Sequence, residues 1–577
     1  MKRLLPYLNG YKREAISAPL FKIIEAIFEL FVPYVVAAII DRAIPSGNRG
    51  YVTALCGVLV LLGAVGLAST LAAQYLSAKC AVGFTTNLRI ALFDHIQSLS
   101  FADMDKLGSS TLITRLTSDL NQVQTGINLT LRLLMRSPFI VFGAMAMAFT
   151  IDVKAALIFV GVIPVLSVVV FGIMLRCIPL YSKVQSKLDR VLSITRENLT
   201  GARVIRAFCK EDEETDEFII RNEDLTKTQK HVGWISGVMN PLTYVIVNVG
   251  VILLIYIGAI KVETGVLTQG MVIALYNYMS QILVELVKLA NLIITVTKSY
   301  ACAKRISAVM EVAPSMEGGA LISGKDGFAA VEFKNVSFKY GSAAEESLSN
   351  IGFRLEKGKT LGIIGPTGCG KSTLINLIPR FYDATEGEVL IDGVDAKEYD
   401  LEALREKVGV VMQKTALFKG SVRDNMRLGA ENATDDEIVS ALKSAQAYDF
   451  VMAKDGGLDF EIEQRGRNLS GGQQQRLSIA RALVTRPEIL ILDDSSSALD
   501  YATDARLRIS LRELDFNPAV IIVSQRVSSV MHADEILVLD DGDAVGIGTH
   551  SELLESCAEY REIYESQIKS EEGVSNG

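Results

Sequence analysis

The chain has 577 residues, 49% of them hydrophobic, and its mean hydropathy of +0.30 is high for a soluble protein. It is also too long for one ordinary domain. The net charge of −8 is unevenly spread, because residues 1–310 hold 30 Lys and Arg against 21 Asp and Glu, whereas residues 311–577 hold 28 against 45. An apolar, basic first part and an acidic second part predict a membrane domain followed by a soluble domain. This charge pattern is not that of a nucleic-acid-binding protein.

Six apolar stretches are long enough to cross a bilayer, which takes ~20 residues each. The gaps between them alternate between very short and about 55–60 residues, which predicts small outer loops and two long, helical inner loops. Basic residues before the first stretch (Lys2, Arg3, Lys12 and Arg13) place both termini in the cytoplasm. The stretches lie at roughly 19–41, 52–77, 133–151, 155–176, 238–260 and 269–296.

The ends of the chain and its cysteines indicate the surroundings. Residues 1–14 are too interrupted by charge for a signal peptide, and we expect an amphipathic segment on the inner membrane face. The tail 569–577 is expected to be disordered. No cysteine pair has metal-ligand spacing, so we expect seven free thiols in reducing surroundings. They are Cys56, Cys80, Cys177, Cys209, Cys302, Cys369 and Cys557.

The first motif that indicates a function in the second part of the chain is a phosphate-binding loop. Residues 365–372 read Gly-Pro-Thr-Gly-Cys-Gly-Lys-Ser, between an apolar strand at 361–364 and a helix at 372–378. Gly368 and Gly370 let backbone N–H groups wrap phosphates, Lys371 neutralises phosphate oxygens, and Ser372 can ligate Mg²⁺. This context predicts an α/β P-loop ATPase domain that binds ATP with Mg²⁺.

A second anion site is indicated at residues 469–473, which read Leu-Ser-Gly-Gly-Gln. Ser470 precedes a predicted helix over 473–484, and Gln473 stands at the spacing of a capping box. Two glycines at a helix N-terminus suit an anion. Further on, the acidic strand Ile-Leu-Ile-Leu-Asp ends at Asp493 and is followed by Asp494.

Together these motifs, in this order behind six spans, resemble the ATP-binding-cassette (ABC) transporters. The resemblance covers essentially the whole chain and is strongest to half-size multidrug-type exporters of the type IV fold, in particular bacterial heterodimeric ones. It implies a six-helix transmembrane domain over 1–310, a linker over 311–330, a nucleotide-binding domain over 331–568 and the tail. It also implies contacts to the cassettes from the inner loops, around 101–119 and 197–208.

The resemblance assigns further roles. Tyr340 would stack on adenine, although a strand aromatic in the core is the alternative. Gln413 would contact Mg²⁺ and the membrane domain, although it could be a surface glutamine. Residues 497–500 match the D-loop, and residues 463–466 match a loop that contacts the membrane helices. The implied ATP-binding residues are Tyr340, Gly365, Thr367, Gly368, Gly370, Lys371, Ser372, Thr373, Ser470, Gly471, Gly472 and Gln473, and the implied metal ligands are Ser372, Gln413 and Asp493.

Two positions depart from the family pattern. Asp494 stands where the family has the catalytic Glu, and Gln525 stands where it has His. The Asp carboxylate is one methylene shorter, and a misplacement of that size can cost ~100-fold in rate. Glutamine cannot carry a proton as histidine can. We therefore expect a degenerate site, with Asp494, Gln525 and Gln413 at its catalytic positions; adequate hydrolysis by Asp and Gln is the alternative.

Charged residues also fall inside the spans. Glu25 and Glu29 are four residues apart, and Glu285 and Lys288 are three apart, so each pair shares one helix face. They could face a translocation cavity, together with Tyr276, Tyr278, Met279 and Gln281 of the last span. Alternatively, the glutamates lie at the cytosolic edge, Glu285–Lys288 is a structural pair, and the aromatic and Met side chains face lipid.

We therefore expect a subunit that exports an amphipathic substrate (drug, lipid or peptide) across the plasma or inner membrane, with its cassette in the cytoplasm. The signature Ser470–Gln473 would grip ATP held by a partner subunit. That partner would be a second half-exporter with intact Glu and His, because two copies of this chain would pair two defective catalytic sets. A nucleotide-gated channel or regulatory ABC subunit is the alternative.

Overall fold

The computed structural model describes residues 2–325, 327–341, 343 and 345–575. The described chain forms two compact units. The first comprises Met1–Gln97 and Gly108–Val312, and the second comprises Ser98–Leu107 and Ala313–Gly577.

The first unit contains six helical segments long and apolar enough to cross a membrane, so the six predicted spans are confirmed as candidates. The longest is 53 residues, which at 1.5 Å per residue makes ~80 Å, far more than the ~30 Å hydrocarbon core. The helices therefore extend well beyond a bilayer, as expected for the inner loops. The segments are Lys12–Ala43, Arg49–Ser98, Ser109–Ile151, Val153–Thr200, Glu211–Glu263 and Gln269–Met310.

These segments are built from ten α-helices, numbered here in chain order together with α3 of the second unit. A 3₁₀ helix, Lys2–Leu8, precedes them, and its predicted position on the membrane surface stays a prediction. Short π-helical turns continue α1 and α4, at Ile39–Ala43 and Arg115–Asp119. The helices are α1 (Lys12–Ala38), α2 (Arg49–Ser98), α3 (Phe101–Leu107), α4 (Ser109–Thr114), α5 (Leu120–Leu133), α6 (Arg136–Ile151), α7 (Val153–Thr200), α8 (Ala202–Ala207), α9 (Glu211–Gly237), α10 (Met239–Glu263) and α11 (Gln269–Met310).

The core of the first unit forms where α1, α6, α7, α10 and α11 pack together. Tyr278 and Met279 of α11 are completely buried in it, and the Tyr278 hydroxyl donates to the backbone oxygen of Leu30 at 2.6 Å. Their expected place in a translocation cavity or against lipid is therefore wrong. The reason is helical phase, since these residues lie on the side of α11 that faces the other helices.

The second unit contains a six-stranded sheet, a four-stranded sheet and a two-stranded ribbon. The strands are β1 (Val331–Phe338), β2 (Leu348–Leu355), β3 (Thr360–Ile364), β4 (Glu386–Ile391), β5 (Val394–Asp395), β6 (Val408–Val411), β7 (Gly420–Ser421), β8 (Glu461–Ile462), β9 (Ile489–Asp493), β10 (Ala519–Val523), β11 (Glu535–Asp540) and β12 (Asp543–Gly548). The helices are α12 (Lys371–Leu377), α13 (Leu401–Lys407), α14 (Val422–Arg427), α15 (Asp435–Ser444), α16 (Tyr448–Met452), α17 (Gly471–Val484), α18 (Tyr501–Arg512), α19 (Val527–Val530), α20 (His550–Ser556) and α21 (Ala558–Ser575).

The strand order of the larger sheet places the site. The order is β12-β11-β3-β10-β9-β6, and β3, β10, β9, β6 and β11 run parallel. The phosphate loop leaves the carboxyl end of β3, and Asp493 ends β9, two strands away across β10. Parallel strands gather their carboxyl ends at one edge of the sheet, which is where such sheets bind ligands.

Residues 98–107 pack with the second unit, although the predicted domain boundary places them in the first part of the chain. Phe101 of α3 lies against Phe381 with ring centroids 4.7 Å apart, and the Tyr382 hydroxyl donates to Asp105 at 2.7 Å. The buried carboxylate of Asp103 accepts hydrogen bonds from the backbone N–H and hydroxyl of Ser315, both at 2.9 Å. Burial opposes ionisation of Asp103, but the bonds from Ser315 and Ser100 outweigh it, so its pKa is lowered.

Helix α21 is the last element of the described chain and ends at Ser575, and the predicted disorder of the tail 569–577 stays a prediction. Residues 576 and 577 lie outside the described part of the chain.

Candidate nucleotide site

A cavity of about 530 Å³ at the sheet edge collects most of the predicted nucleotide residues. Gly370 has φ +94, and a Cβ there would lie 2.6 Å from a backbone oxygen in the loop before β2, so only glycine fits. Lys371 is buried, and its ammonium donates to the backbone oxygens of Gly365 and Pro366 at 2.8 and 2.6 Å. The predicted residues that line the cavity are Tyr340, Thr367, Gly368, Gly370, Lys371, Ser372, Thr373, Gln413, Asp493, Asp494 and Gln525.

The predicted metal ligands meet on one side of this cavity. The Ser372 hydroxyl lies 3.0 Å from Asp493 Oδ2, and Gln413 lines the same wall. Burial raises the pKa of Asp493, the neighbouring Asp494 carboxylate adds to this, and the hydrogen bond from Ser372 opposes it. Mg²⁺ takes one or two carboxylates and further oxygens, with substrate phosphates completing its shell. The three side chains fit that ion, which would neutralise charge on the phosphates when bound.

The described residues offer no dedicated metal cage elsewhere: none of their His, Cys, Asp and Glu side chains form a group of three or more that could hold an ion. The described cysteines are all free thiols, as predicted.

The two departures from the family pattern both line this cavity. Gln413 Nε2 donates to Asp494 Oδ2 at 3.2 Å, and Gln525 Oε1 lies 3.5 Å from the hydroxyl of Thr367 in the phosphate loop. Asp494 has φ +45, a left-handed conformation that Asp adopts more readily than most residues. Among the described residues that line the cavity there is no histidine.

Tyr340 also lines the cavity. It is half-buried, its hydroxyl lies 3.3 Å from Thr373 Oγ1, and its ring meets Tyr382 edge-on at 5.3 Å between centroids. Tyr340 packs against the aromatic core residue Phe338, as the alternative predicted, and its stacking on adenine stays a prediction.

The signature lies apart from this cavity. Ser470 and Gln473 form the predicted capping box at the start of α17, with Gln473 N donating to Ser470 Oγ at 3.3 Å and Ser470 N donating to Gln473 Oε1 at 3.0 Å. Ser470 and Gly471 are exposed, and neither they nor Gly472 and Gln473 line the cavity. Gly365, the first residue of the phosphate loop, does not line the cavity.

Sequence reasoning missed the acidic side of the cavity. Glu345 and Glu346, in the loop before β2, and Asp541, in the β11–β12 turn, also line the cavity. These residues belong to connecting loops and carry no spaced motif. The available signal was weak: the turn residues at 541–542 follow β11, which pairs with the phosphate-loop strand β3.

Comparisons with known proteins agree with this architecture. The family described as ABC transporter transmembrane region matches residues 16–286, and that described as ABC transporter matches residues 348–497. The ABC transporter ATP-binding protein YfiB of Bacillus subtilis (strain 168) is 35% identical over 99% of both chains. An ABC transporter ATP-binding protein of Mycobacterium tuberculosis (strain ATCC 25618 / H37Rv) is 34% identical over 98% of both. The chain belongs to the ABC transporter family.

The fold is that of a half-size exporter. A solved structure of a bacterial Atm1-family ABC exporter with ATP bound superposes with a TM-score of 0.79, covering 96% of this chain and 98% of that one at 23% identity. YgaD of Bacillus subtilis, named as a candidate multidrug export ATP-binding/permease protein, is 31% identical over 98% of this chain and 99% of its own length. The chain is thus a multi-pass membrane protein with an ATP-binding domain, and its fold implies dimerisation in a bilayer.

The charged residues predicted inside the spans form one group. Glu25 and Glu29 of α1 both approach Arg136 of α6, at 3.5 and 2.6 Å. Arg136 also binds Glu285 of α11 at 2.7 Å, and Glu285 binds Lys288 at 2.8 Å. The Glu285–Lys288 pair is therefore present, and Arg136 is the partner that spacing along one helix could not reveal.

Proposed function

We propose that this ABC transporter subunit exports an amphipathic substrate (drug, lipid or peptide) as one half of a heterodimer. Its own site binds ATP with Mg²⁺ and hydrolyses it poorly, and its signature completes the partner's active site. The observation that carries this proposal is the wall of the nucleotide cavity, where Asp494 and Gln525 take the places of the family's catalytic Glu and His.

We attribute the poor hydrolysis at this site to the short reach of the Asp494 carboxylate. Asp494 is held at the backbone by the bond from its N–H to Val523 O at 2.9 Å, and its carboxylate is engaged by Gln413. A general base must come within hydrogen-bond reach of the attacking water. One missing methylene withdraws the carboxylate by about 1.5 Å, and a misplacement near 1 Å can cost ~100-fold. The binding residues Lys371, Ser372 and Asp493 are intact, which supports a site kept for binding.

Two exposed surfaces of this chain support the partnership. The signature at Ser470 and Gly471 is exposed away from its own cavity. Helix α8 at the tip of the second inner loop has no buried residue, and Val204 and Phe208 there are 60% and 71% exposed. A second subunit would cover both. A partner with intact catalytic residues would then have one strong site, built with this chain's signature.

This proposal places the cassette and both termini in the cytoplasm of a cell whose plasma or inner membrane holds the spans. Protease accessibility in right-side-out and inside-out vesicles tests that orientation, because the linker at 311–330 should be cut only from the cytoplasmic side. Cleavage from outside would contradict it.

The central test compares the chain alone with the chain and its partner, reconstituted at equal protein concentration. ATPase activity and substrate uptake should be high only for the pair. Lys371→Ala should weaken ATP binding to this chain, because it removes the charge opposite the phosphates. Asp494→Asn should reduce the pair's transport much less than Glu→Gln at the partner's catalytic position. Equal turnover by the chain alone, or equal loss from the two substitutions, would refute the heterodimer.

A further inference from the structure

Four charged side chains of alternating sign form a continuous line across three spans. Glu29 Oε2 accepts from Arg136 Nη2 at 2.6 Å, Arg136 Nη1 donates to Glu285 Oε1 at 2.7 Å, and Lys288 Nζ donates to the same oxygen at 2.8 Å. These residues belong to α1, α6 and α11. We call them the charge line. Ionisable groups within spans are costly and usually serve a site or pathway.

Only the two ends of the charge line are accessible. The side chains of Arg136 and Glu285 are 8% and 4% exposed, whereas those of Glu29 and Lys288 are 39% and 44% exposed. The buried middle is well compensated, since Glu285 also accepts from Ser137 at 2.8 Å. Acyl chains cannot satisfy an exposed carboxylate or ammonium. The ends therefore face a polar space, one with a negative charge and the other with a positive charge.

The exposed face of α11 agrees with a polar space. Tyr276, Ser280, Val284, Lys288 and Asn291 recur at three- and four-residue spacing, so they share one face, and each is exposed or half-buried. By contrast, most exposed residues of α2 within its span are apolar or small, although Gln74 and Tyr75 near one end of the span are exposed too. The apolar ones include Val58, Val60, Leu61, Leu67 and Leu71. The α2 face suits lipid, whereas the α11 face suits water or a ligand headgroup.

Two buried atoms at the charge line have no hydrogen-bond partner within the described chain. Arg136 Nε is a donor that lies 3.5 Å from Glu25 Oε1 without forming a hydrogen bond, and Gln281 Oε1, one helical turn before Glu285, is an acceptor. Buried polar atoms are nearly always paired, so each such exception calls for a partner. Both atoms are almost without solvent exposure, so they lie in the buried part of the cluster, whereas the accessible groups of the charge line are its two ends.

We propose that the charge line is the headgroup site for a zwitterionic amphiphile. The positive group of the headgroup pairs with Glu29, and the negative group pairs with Lys288. The surrounding cluster is electrically neutral, since Glu25, Glu29 and Glu285 balance Lys22, Arg136 and Lys288. Each exposed end already has one ion-pair partner within the chain, and a ligand with a single charge would add a second partner at only one of them. This inference rests on the proposed export function and specifies its substrate class.

The test measures binding to the full-length chain in nanodiscs of phosphatidylglycerol, without ATP. Three radiolabelled amphiphiles with the same dodecyl chain serve as probes: dodecylphosphocholine, dodecyltrimethylammonium and dodecyl phosphate. The zwitterion should bind most tightly. Glu29→Gln and Lys288→Gln should each weaken it by about tenfold, the effect of removing one charged partner. Glu29→Gln should weaken the cation and spare the anion, and Lys288→Gln should do the reverse.

Matched controls come from an exposed ion pair on α9 outside the spans. Glu223→Gln and Lys227→Gln remove the same charges, 3.7 Å apart in the wild type, and should leave all three affinities unchanged. An unchanged elution volume in size-exclusion chromatography and an unchanged far-UV circular dichroism spectrum show that each variant is folded. Equal affinity for the three probes in the wild type, or zwitterion binding unaffected by both variants, would overturn the proposal.

A second arm identifies the source of the headgroup. Labelled diacyl phosphatidylethanolamine replaces the single-chain zwitterion; its retention assigns the site to a membrane phospholipid, and retention of the single-chain form alone assigns it to a smaller amphiphile. Because no ATP is used, the outcome is separate from the export proposal. Charge-selective binding without ATP-driven transport by the pair would refute export, whereas transport without charge selectivity would refute the headgroup site.

Discussion

We attribute the poor hydrolysis at the nucleotide site to a carboxylate that is too short and a glutamine that cannot hold a proton. Restoring both functions should restore hydrolysis. The double substitution Asp494→Glu with Gln525→His returns the carboxylate to the family's length and supplies a side chain that can hold a proton. Both positions line the cavity, Asp494 beside Gln413 and Gln525 beside Thr367, so the new groups enter the existing site.

The expected size of the effect follows from the geometry. The added methylene advances the carboxylate by about 1.5 Å, which recovers ~100-fold in rate, and general-base catalysis as a whole contributes 10²–10⁴-fold. We therefore expect turnover to rise by about 100-fold. A cost accompanies the gain, because φ at 494 is +45 and a longer side chain tolerates that conformation less well. A loss of about 1 kcal/mol in stability is expected.

The assay measures phosphate release by the purified chain. Light scattering first establishes whether the chain alone is a dimer. If it is a monomer, the assay uses its complex with a partner that carries Glu→Gln at the catalytic position. Asp541→Glu is the matched control, since Asp541 lines the same cavity with φ +44 and the same added methylene. Asp541→Glu should cause the same kind of backbone strain without raising ATP turnover. Asp494→Asn with Gln525→His isolates the contribution of the carboxylate.

Turnover that stays flat in the double variant, while ATP binding is retained in the dimer, would refute the reasoning that these two positions limit hydrolysis. A rise with Asp541→Glu equal to that with the double variant would refute it too, because the gain would then be unrelated to position.

Three further predictions concern other parts of the chain. Gly471→Asp should lower the pair's ATPase at least tenfold, because a Cβ at 471 meets no atom within 4 Å and the carboxylate would repel the partner's nucleotide without misfolding this chain; retained ATPase would contradict the assigned signature role. Gly370→Ala should abolish binding of a fluorescent ATP analogue, since φ is +94 and the Cβ would lie 2.6 Å from a backbone oxygen; near-normal affinity would refute this. Glu285→Gln should destabilise the membrane unit by about 3 kcal/mol, because it leaves a buried positive charge uncompensated. Lys288→Gln should cost less than ~1 kcal/mol, because Lys288 is half-exposed. Thermal melts in detergent measure the two losses of stability, and equal shifts in melting temperature would contradict the prediction.

The sequence alone was sufficient for the features that depend on local chemistry. Within lipid, the backbone N–H and C=O groups of a span must find their hydrogen-bond partners inside a helix. A run of ~20 apolar residues therefore predicts a membrane-spanning helix, and all six candidate spans were predictable. The phosphate loop, the capping box at Ser470 and the strand ending at Asp493 are likewise set by neighbours within a few residues.

Only the tertiary structure decided which distant groups meet. Arg136 binds Glu285, 149 residues away, and that partner depends on the packing of α6 against α11 rather than on any spacing along the chain. The phase of α11 buries Tyr278 and exposes Lys288, although both lie in one apolar run. Residues 98–107 join the second unit because Phe101 finds Phe381 there. Local periodicity predicts an element and its two faces, whereas the partner of each face is determined by how all the elements pack together.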